Sequence, residues 1–577
     1  MSARRPTFEP TRPDWHYWLA LTCLVAVVFY PALSADFLSW DDRTHLHQNP
    51  WLWPPQQRSV WQFWIEPFWG LYVPVSYSFW SLVANFATVV GHDGTPQLMP
   101  GPFHAANLGL HILAASLVYT VLRRCGHRQE AAGLGAALFA VHPLQVESVV
   151  WVSETRGLLA AIFAIAALDQ YRRAIPFGPE PRRISPTGRE FWTRYLCATG
   201  LFLLANLSKP SAVALPLMLI VLVATFDPQQ WRRHARGLLP WFAIVVLIAG
   251  IMKFLQPAES IASTVSLAQR PWIVADSLSF YLSKLVIPWP LTIDYGRRPD
   301  VALTTSAITI AVIILAAVGV ACMWLKPRRV WWTGLAIFAA GLAPVLGMIP
   351  FEFQSISTVA DRYAYLALLG PAWIVAGVLS SGERTNPTAR GIVLGLLAAL
   401  AIVSAVQVRY WYNDHTLFQH ALTINPRSVV ALANLGYLHQ QREEYDDATR
   451  YYRATLDVVP RDEIALKGLG EIAMARGEFT TALDRFRQAT EAKPRDAGAW
   501  NNWGVAFGTQ GEFVEAETRF RRAIELSQRP NAEFHVNLAR ALIEQKRLDD
   551  AHRELNRAVT IAPGLPSARE LLRAIGK

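Results

Sequence analysis

Cysteine is nearly absent from this sequence. Four of its 577 residues are cysteine (Cys23, Cys125, Cys197 and Cys322), and all lie in or beside apolar stretches. That rules out a disulfide framework or a zinc cluster in the polar C-terminal part. Charge is scarce too: Asp, Glu, Lys and Arg make up 17%, against about a quarter in soluble domains. Lysine is the rarest of the four, with 8 residues against 46 arginines, a codon bias that fits a GC-rich bacterial genome. With 52% apolar residues the chain is neither disordered nor an ordinary soluble enzyme. Walker loop, nucleotide-sugar motif, Cys-x-x-Cys pair and metal-ligand cluster are all missing.

The charge deficit is local. Residues 411–577 hold 23 basic and 23 acidic side chains, so the first 410 residues carry the whole net charge of +10. A span needs about 20 mainly apolar residues. Eleven stretches qualify as candidates, near 15–34, 103–123, 131–150, 155–172, 192–208, 210–226, 237–255, 303–325, 331–350, 361–380 and 391–410. The first is read as a signal anchor. Basic clusters mark cytoplasmic ends: Arg4, Arg5 and Arg12; Arg123, Arg124 and Arg128; Arg172, Arg173, Arg182, Arg183, Arg189 and Arg194; Arg232, Arg233 and Arg236; Lys326, Arg328 and Arg329; Arg384 and Arg390. With eleven spans every cluster falls on one side, and the C-terminal part falls on the other. The stretches 71–90 and 271–290, rich in Trp, Tyr and Pro, are then interfacial or re-entrant helices. The first external loop, 35–102, is long and Trp-rich, as suits a loop lying on the bilayer.

Residues 411–577 repeat with a period of 34. Gly436, Gly470 and Gly504 recur at that spacing, with Ala539 in the fourth unit. Ala448, Ala482, Ala516 and Ala551 follow by 12, and Tyr452, Phe486, Phe520 and Leu555 by four more. Pro460, Pro494 and Pro563 close units. This is the pattern of a tetratricopeptide repeat (TPR), with full units at about 429–462, 463–496, 497–530 and 532–565, and one B-like helix before them. Such units stack into a solenoid with a concave groove for a partner peptide. Asn434, Asn501, Asn502 and Asn537 are candidates to bond an extended backbone there.

Chemistry is carried by a few polar residues in apolar surroundings. Asp41 and Asp42 follow span one on the outer side. A carboxylate there is suited to act as general base toward a hydroxyl; the alternative is a helix cap, since Ser39-x-x-Asp42 resembles a capping box. His104, Asn107 and His111 share one helix face, where polar groups in spans are functional or join helices. His142 and Glu147 end span three. Arg156, Lys209 and Arg362 are isolated cations on an outer face poor in positive charge. They suit a phosphate, or else pair with local carboxylates such as Asp361 and Glu154. A lipid-linked phosphosugar would set its phosphate at that boundary and its tail in the bilayer.

These residues resemble a known family. Trp40-Asp41-Asp42, Tyr72-x-Pro74 with Ser76 and Ser78, and His104-x-x-Asn107-x-x-x-His111 are its first carriers. His142-Pro143-x-x-x-Glu147-Ser148-Val149, Ser208-Lys209-Pro210 and Asp361-Arg362-Tyr363-x-Tyr365 follow, and then the repeats. The pattern is similar to the transmembrane-and-TPR O-mannosyltransferases and their bacterial homologues, in the GT-C glycosyltransferase superfamily. The resemblance implies an all-α, polytopic membrane bundle (1–410) followed by a TPR α-solenoid (411–577). It implies an inverting enzyme taking a sugar, in eukaryotic members mannose, from a polyprenyl-phosphate donor to a hydroxyl acceptor such as a protein Ser or Thr. Asp41 and Asp42 become the catalytic positions, with Asp41 preferred. Arg156, Lys209 and Arg362 become donor-phosphate ligands, and His104, His111, His142 and Glu147 line the site. No cofactor is implied beyond the donor itself; some members of the superfamily use a divalent ion and others do not. The partners are the lipid donor, an acceptor polypeptide or glycan and a TPR-bound protein, with no nucleic acid. A bacterial inner membrane with the TPR part in the periplasm is expected, or an endoplasmic reticulum membrane with a lumenal TPR part in a eukaryote. The chain departs from the family at Tyr72-Val73-Pro74, where many relatives have Tyr-Arg-Pro, and at Gln145-Val146-Glu147, where bacterial ones often have His-Val-Glu. The alternatives are a glycan polymerase or O-antigen ligase, whose large loop usually comes late, and a non-catalytic scaffold, which needs one span rather than eleven.

Overall fold

A computed structural model describes residues 14–53, 59–91, 95–177, 188–255, 265–382, 386–527 and 530–576. Arg4, Arg5, Arg12, Arg182, Arg183 and Arg384 of the basic clusters lie outside them. Among the described residues the chain is almost wholly helical, with one two-stranded antiparallel sheet pairing Thr88–Val90 with Pro96–Leu98. It divides into two compact units, Met1–Ile424 and Asn425–Lys577.

All eleven candidate stretches are helical over most of their length. Five are single helices long and apolar enough to cross a membrane: Trp15–Ser34, Pro100–Arg124, Pro228–Leu255, Thr305–Trp324 and Pro387–Tyr410. The helices Gln129–Val141 and Pro143–Val150 form a sixth if taken as one span bent by 55°. Pro143 explains the bend, since it has no N–H to continue the first helix. The remaining stretches are shorter helices, as at Leu369–Ser380, or carry charge, as Thr155–Ala174 does with Arg156, Asp169, Arg172 and Arg173. Small residues let these helices approach closely. A Cβ on Gly135 would sit 2.5 Å from the Ala372 carbonyl oxygen, and one on Gly341 would lie 2.7 Å from Ala367 Cα. The stretches 71–90 and 271–290 become the helices Pro74–Ala87 and Arg270–Val286, neither of which is among the long apolar helices above.

The segment 35–102 has its own core. Leu46, Leu52, Phe63, Phe68, Tyr77, Trp80 and Phe103 are buried together, which accounts for much of its aromatic content. The helix Asp414–Ile424, counted with the repeats from sequence, belongs to the first unit. There Asp414 Oδ1 accepts the Ser39 N–H at 2.9 Å, and the Leu291 carbonyl oxygen lies 3.0 Å from His420 Nε2.

The second unit is four helix pairs and a closing helix, Pro566–Ile575. Each glycine of the 34-residue period backs onto the aromatic ring of the next helix. A Cβ at Gly436, Gly470 or Gly504 would come 2.7, 2.6 or 2.7 Å from Tyr452, Phe486 or Phe520. Ser428, Asp462, Asp496 and Asn531 cap the four first helices through their side chains. The turn inside each pair has one residue at positive φ: Glu443, Gly477, Gly511 and Lys546. The asparagines are engaged within the unit: Asn434 Nδ2 donates to the Val430 carbonyl, Asn502 Nδ2 to Glu471, and Asn537 Nδ2 to Asn501.

Candidate functional site

Five segments of the first unit supply the site: the short helix Val146–Val150, which holds Glu147, and four more. Of those four, the first is the loop after Ser34, which holds Trp40, Asp41 and Asp42. The second is the bend around Val152–Glu154 at the start of the helix Thr155–Ala174. The third is Lys209, in extended backbone between Gly188–Ser208 and Pro210–Ala214. The fourth is the single turn Asp361–Tyr363. Asn107 holds the second segment in place. Its Nδ2 donates to the Val149 and Trp151 carbonyls at 3.3 and 3.2 Å, and its Oδ1 accepts the Thr155 hydroxyl at 2.6 Å. Ser76 similarly ties the helix Pro74–Ala87 to the Ser208 carbonyl at 3.0 Å, next to Lys209.

The two aspartates differ sharply. Asp42 is fully buried. Its Oδ1 accepts the Ser153 N–H at 2.9 Å and the Ser153 hydroxyl, and its Oδ2 accepts the Leu38 N–H at 3.0 Å. The capping box is therefore not formed: the Ser39 N–H goes to Asp414. Burial pushes the Asp42 carboxyl up to about 7 despite these donors, and the neighbouring Asp41 adds to the rise. Asp42 thus clamps the loop after Ser34 to the 152–154 bend. Asp41 is 33% exposed and meets Arg156 Nη2 at 3.3 Å, while Arg156 Nε donates to the Ser153 carbonyl at 2.7 Å.

Two more ion pairs stand beside this one. Lys209 Nζ meets Glu154 Oε2 at 2.6 Å. Arg362 Nη1 meets Glu147 Oε1 at 2.5 Å, and its backbone N–H donates to Glu147 Oε2 at 3.0 Å. Glu154 Oε1 lies 3.9 Å from Arg362 Nε and so links the two. Gly157 makes room, since a Cβ there would sit 2.8 Å from Glu154 Oε2. Aromatic rings surround the Arg362 guanidinium: Phe353 at 4.3 Å, Tyr363 at 5.1 Å, Trp151 at 5.5 Å and Trp40 at 5.8 Å. Trp40 stacks on Trp151 at 5.0 Å.

The fold therefore brings Asp41, Asp42, Glu147, Arg156, Lys209 and Arg362 into one cluster. The predicted local pairs, Arg156 with Glu154 and Arg362 with Asp361, are replaced by longer-range ones. The histidines stand elsewhere. His104 is buried against the backbone of Ala35, Asp36 and Val150. His111 uses both ring nitrogens, with the Tyr365 hydroxyl at 2.8 Å and the Ala140 carbonyl at 2.9 Å. His142 Nδ1 accepts the Leu144 N–H at 3.3 Å. Sequence reasoning missed Ser153, Trp151 and Phe353 and saw Glu154 only as a local partner. The signal available for Glu154 was a carboxylate two residues before Arg156 in an otherwise apolar run.

This architecture defines a class: a membrane-embedded helical protein that carries a TPR solenoid. The tetratricopeptide repeat family matches residues 434–497, 469–527 and 509–575. Two curated relatives extend the likeness into the membrane part. The protein O-mannosyl-transferase TMTC4 of Homo sapiens is 24% identical over 500 residues, covering 76% of this chain and 66% of that protein. The Mus musculus protein of the same name is 24% identical over 412 residues, covering 61% and 54%. The chain thus spans at most about two thirds of the length of these relatives. Among solved structures, a thermophilic TPR protein of Thermus thermophilus is 23% identical over 32% of this chain and 94% of that one, with a TM-score of 0.25. Over most of its length the chain is thus similar to these protein O-mannosyl-transferases.

Proposed function

We propose that this protein is an inverting glycosyltransferase that moves a sugar from a polyprenyl-phosphate donor to a hydroxyl, in the first instance a protein Ser or Thr. One observation carries the reading. Asp41 is a partly exposed carboxylate, next to a cation, in a cluster whose other carboxylates are buried. The hydroxyl oxygen would attack the anomeric carbon as the bond from that carbon to the phosphate oxygen breaks. Asp41 would take the hydroxyl proton, and the polyprenyl phosphate would leave. Arg156, Lys209 and Arg362 would stabilise the charge on that leaving group. Asp42 and Glu147 act by position: the first holds the loop, the second holds Arg362. The relatives' name, protein O-mannosyl-transferase, supports mannose as the first sugar to test. The TPR unit would bind the acceptor or a partner protein, and the site and the TPR unit would both face the periplasm of a bacterial cell.

The test is transfer from radiolabelled polyprenyl-phosphate sugars in membranes holding the full chain. Label should reach protein or glycan, beginning with the mannosyl donor. A panel of donors that labels nothing, with donor integrity verified by a second transferase, would overturn the reading.

A further inference from the structure

The proposed reaction restricts where the sugar can lie. The anomeric carbon is bonded to the phosphate oxygen, and it must also be within reach of a hydroxyl held by Asp41. The sugar ring therefore lies beside both the carboxylate and the cations. Trp40 meets both conditions. It precedes Asp41 in the chain, and its ring stands 5.8 Å from the Arg362 guanidinium.

Trp40 is also held in place before any ligand arrives. Residues on both sides of it are anchored: the Ser39 N–H donates to Asp414 Oδ1 at 2.9 Å, and Asp42 is clamped to Ser153 and Leu38. Trp151, itself 2% exposed, backs the ring at 5.0 Å with the two planes 15° apart. The remaining contacts are looser. Phe353 stands 6.3 Å away and is tilted by 40°, and its own ring carries the Arg362 guanidinium at 4.3 Å. Trp40 is only half-buried, so part of a fixed indole is open next to the partly exposed Asp41. One side of a pyranose presents a patch of C–H groups, and such groups pack against the electron-rich face of an indole. Little ordering is lost when the ring already stands in position.

We propose that Trp40 is the platform on which the donor's sugar ring stacks. The inference rests on the transferase reading above, which supplies the sugar and its place. Arg362 keeps Glu147 and Phe353 when Trp40 is changed, so the proposed phosphate ligands remain. A substitution at Trp40 is therefore felt by the sugar and not by the phosphate.

The test is binding by the full chain in nanodiscs, with two fluorescent short-chain lipids. One is a polyprenyl-phosphate mannose. The other is a polyprenyl methyl phosphate, a diester of the same single charge without sugar. Trp40→Leu should weaken binding of the first about tenfold, the scale of one lost ring contact, and should leave the second within about twofold of wild type. Trp40→Phe keeps an aromatic face and should recover most of the loss. Binding of the sugar-free lipid by the same preparation shows that the site is intact. In the transfer assay Trp40→Leu should raise the donor KM with kcat nearly unchanged, because stacking serves ground state and transition state alike. Equal loss for the two lipids overturns the inference, since the ring then serves the phosphate, the tail or the fold. Undiminished binding of the mannosyl lipid by Trp40→Leu overturns it as well. In either case sugar transfer by wild type leaves the transferase reading intact. If the loss is confined to the mannosyl lipid but wild type transfers no sugar from any donor, the transferase reading fails and the sugar platform stands.

Discussion

Replacing Asp41 and Asp42 one at a time by Asn should separate chemistry from scaffold. Asp42 offers two oxygens to three donors, at 2.9 Å to the Ser153 N–H and 3.0 Å to the Leu38 N–H, with the Ser153 hydroxyl as the third. An amide has one accepting oxygen. Whichever way it turns, its NH2 faces a backbone N–H in a fully buried place. One buried N–H left unpaired costs about 1–3 kcal/mol. The measurement belongs near pH 6. Below about 7 the Asp42 carboxyl holds its proton, so an uncharged acid is compared with an uncharged amide. The acid's hydroxyl oxygen still accepts a hydrogen bond, whereas the amide nitrogen does not. Asp41 is different. It is one-third exposed and paired at 3.3 Å, and such pairs contribute about 0–1 kcal/mol. Asp41→Asn should therefore unfold like wild type yet transfer sugar about 10²–10⁴-fold more slowly, the range for a lost general base. Thermal unfolding and initial transfer rates on the same purified protein give both readings. Asp41→Asn that transfers within a few-fold of wild type would refute the assignment. Loss of transfer in Asp42→Asn at unchanged stability would exchange the two roles.

Three further outcomes are expected. Lys209→Met leaves Glu154, whose side chain is 2% exposed, without its main cation, which should destabilise by about 3–5 kcal/mol; adding Glu154→Gln should recover the thermal midpoint but not transfer, and a failure to recover would mean the pair is not the cause. Asp42 has its carboxyl raised from 3.8 to about 7 in the folded chain, so between those values the unfolded chain has lost a proton that the folded chain keeps. Stability from this group is full below about pH 4, falls as pH rises to about 7 and is level above; a denaturant titration across that range should show the slope, and Asp42→Asn should reduce it. In the repeats, Gly504→Val brings a side chain against Phe520, which a Cβ alone would approach to 2.7 Å; overpacking of this kind costs about 1–3 kcal/mol. Hydrogen exchange should then rise over 497–526 while donor-phosphate binding stays as in wild type, and unchanged exchange would contradict the packing argument.

Much of the site could be read before any fold was known, and for a definite reason. A charged side chain in an apolar stretch is costly, so Asp41, Glu147, Arg156, Lys209 and Arg362 stood out singly. Their partners did not. Glu154 is two residues from Arg156, yet it pairs with Lys209, because the turn at Val152–Glu154 sends the two side chains different ways. His111 and His142 stood out by the same rule of cost, but the structure uses them on the Tyr365 hydroxyl, the Ala140 carbonyl and the Leu144 N–H.

The sequence alone determined what depends on near neighbours. The 34-residue period, the caps at Ser428, Asp462 and Asp496 and the apolar runs follow from contacts within one or two helices, and those are written as spacing. The boundary at Ile424, the bend at Pro143, the finding of five or six long apolar helices where eleven stretches were counted, and the choice of Asp42 as clamp and Asp41 as open carboxylate were decided only by the tertiary structure. Adjacent aspartates are chemically alike. Their difference arises because Ser153, 111 residues on from Asp42, packs against one of them and leaves the other to solvent.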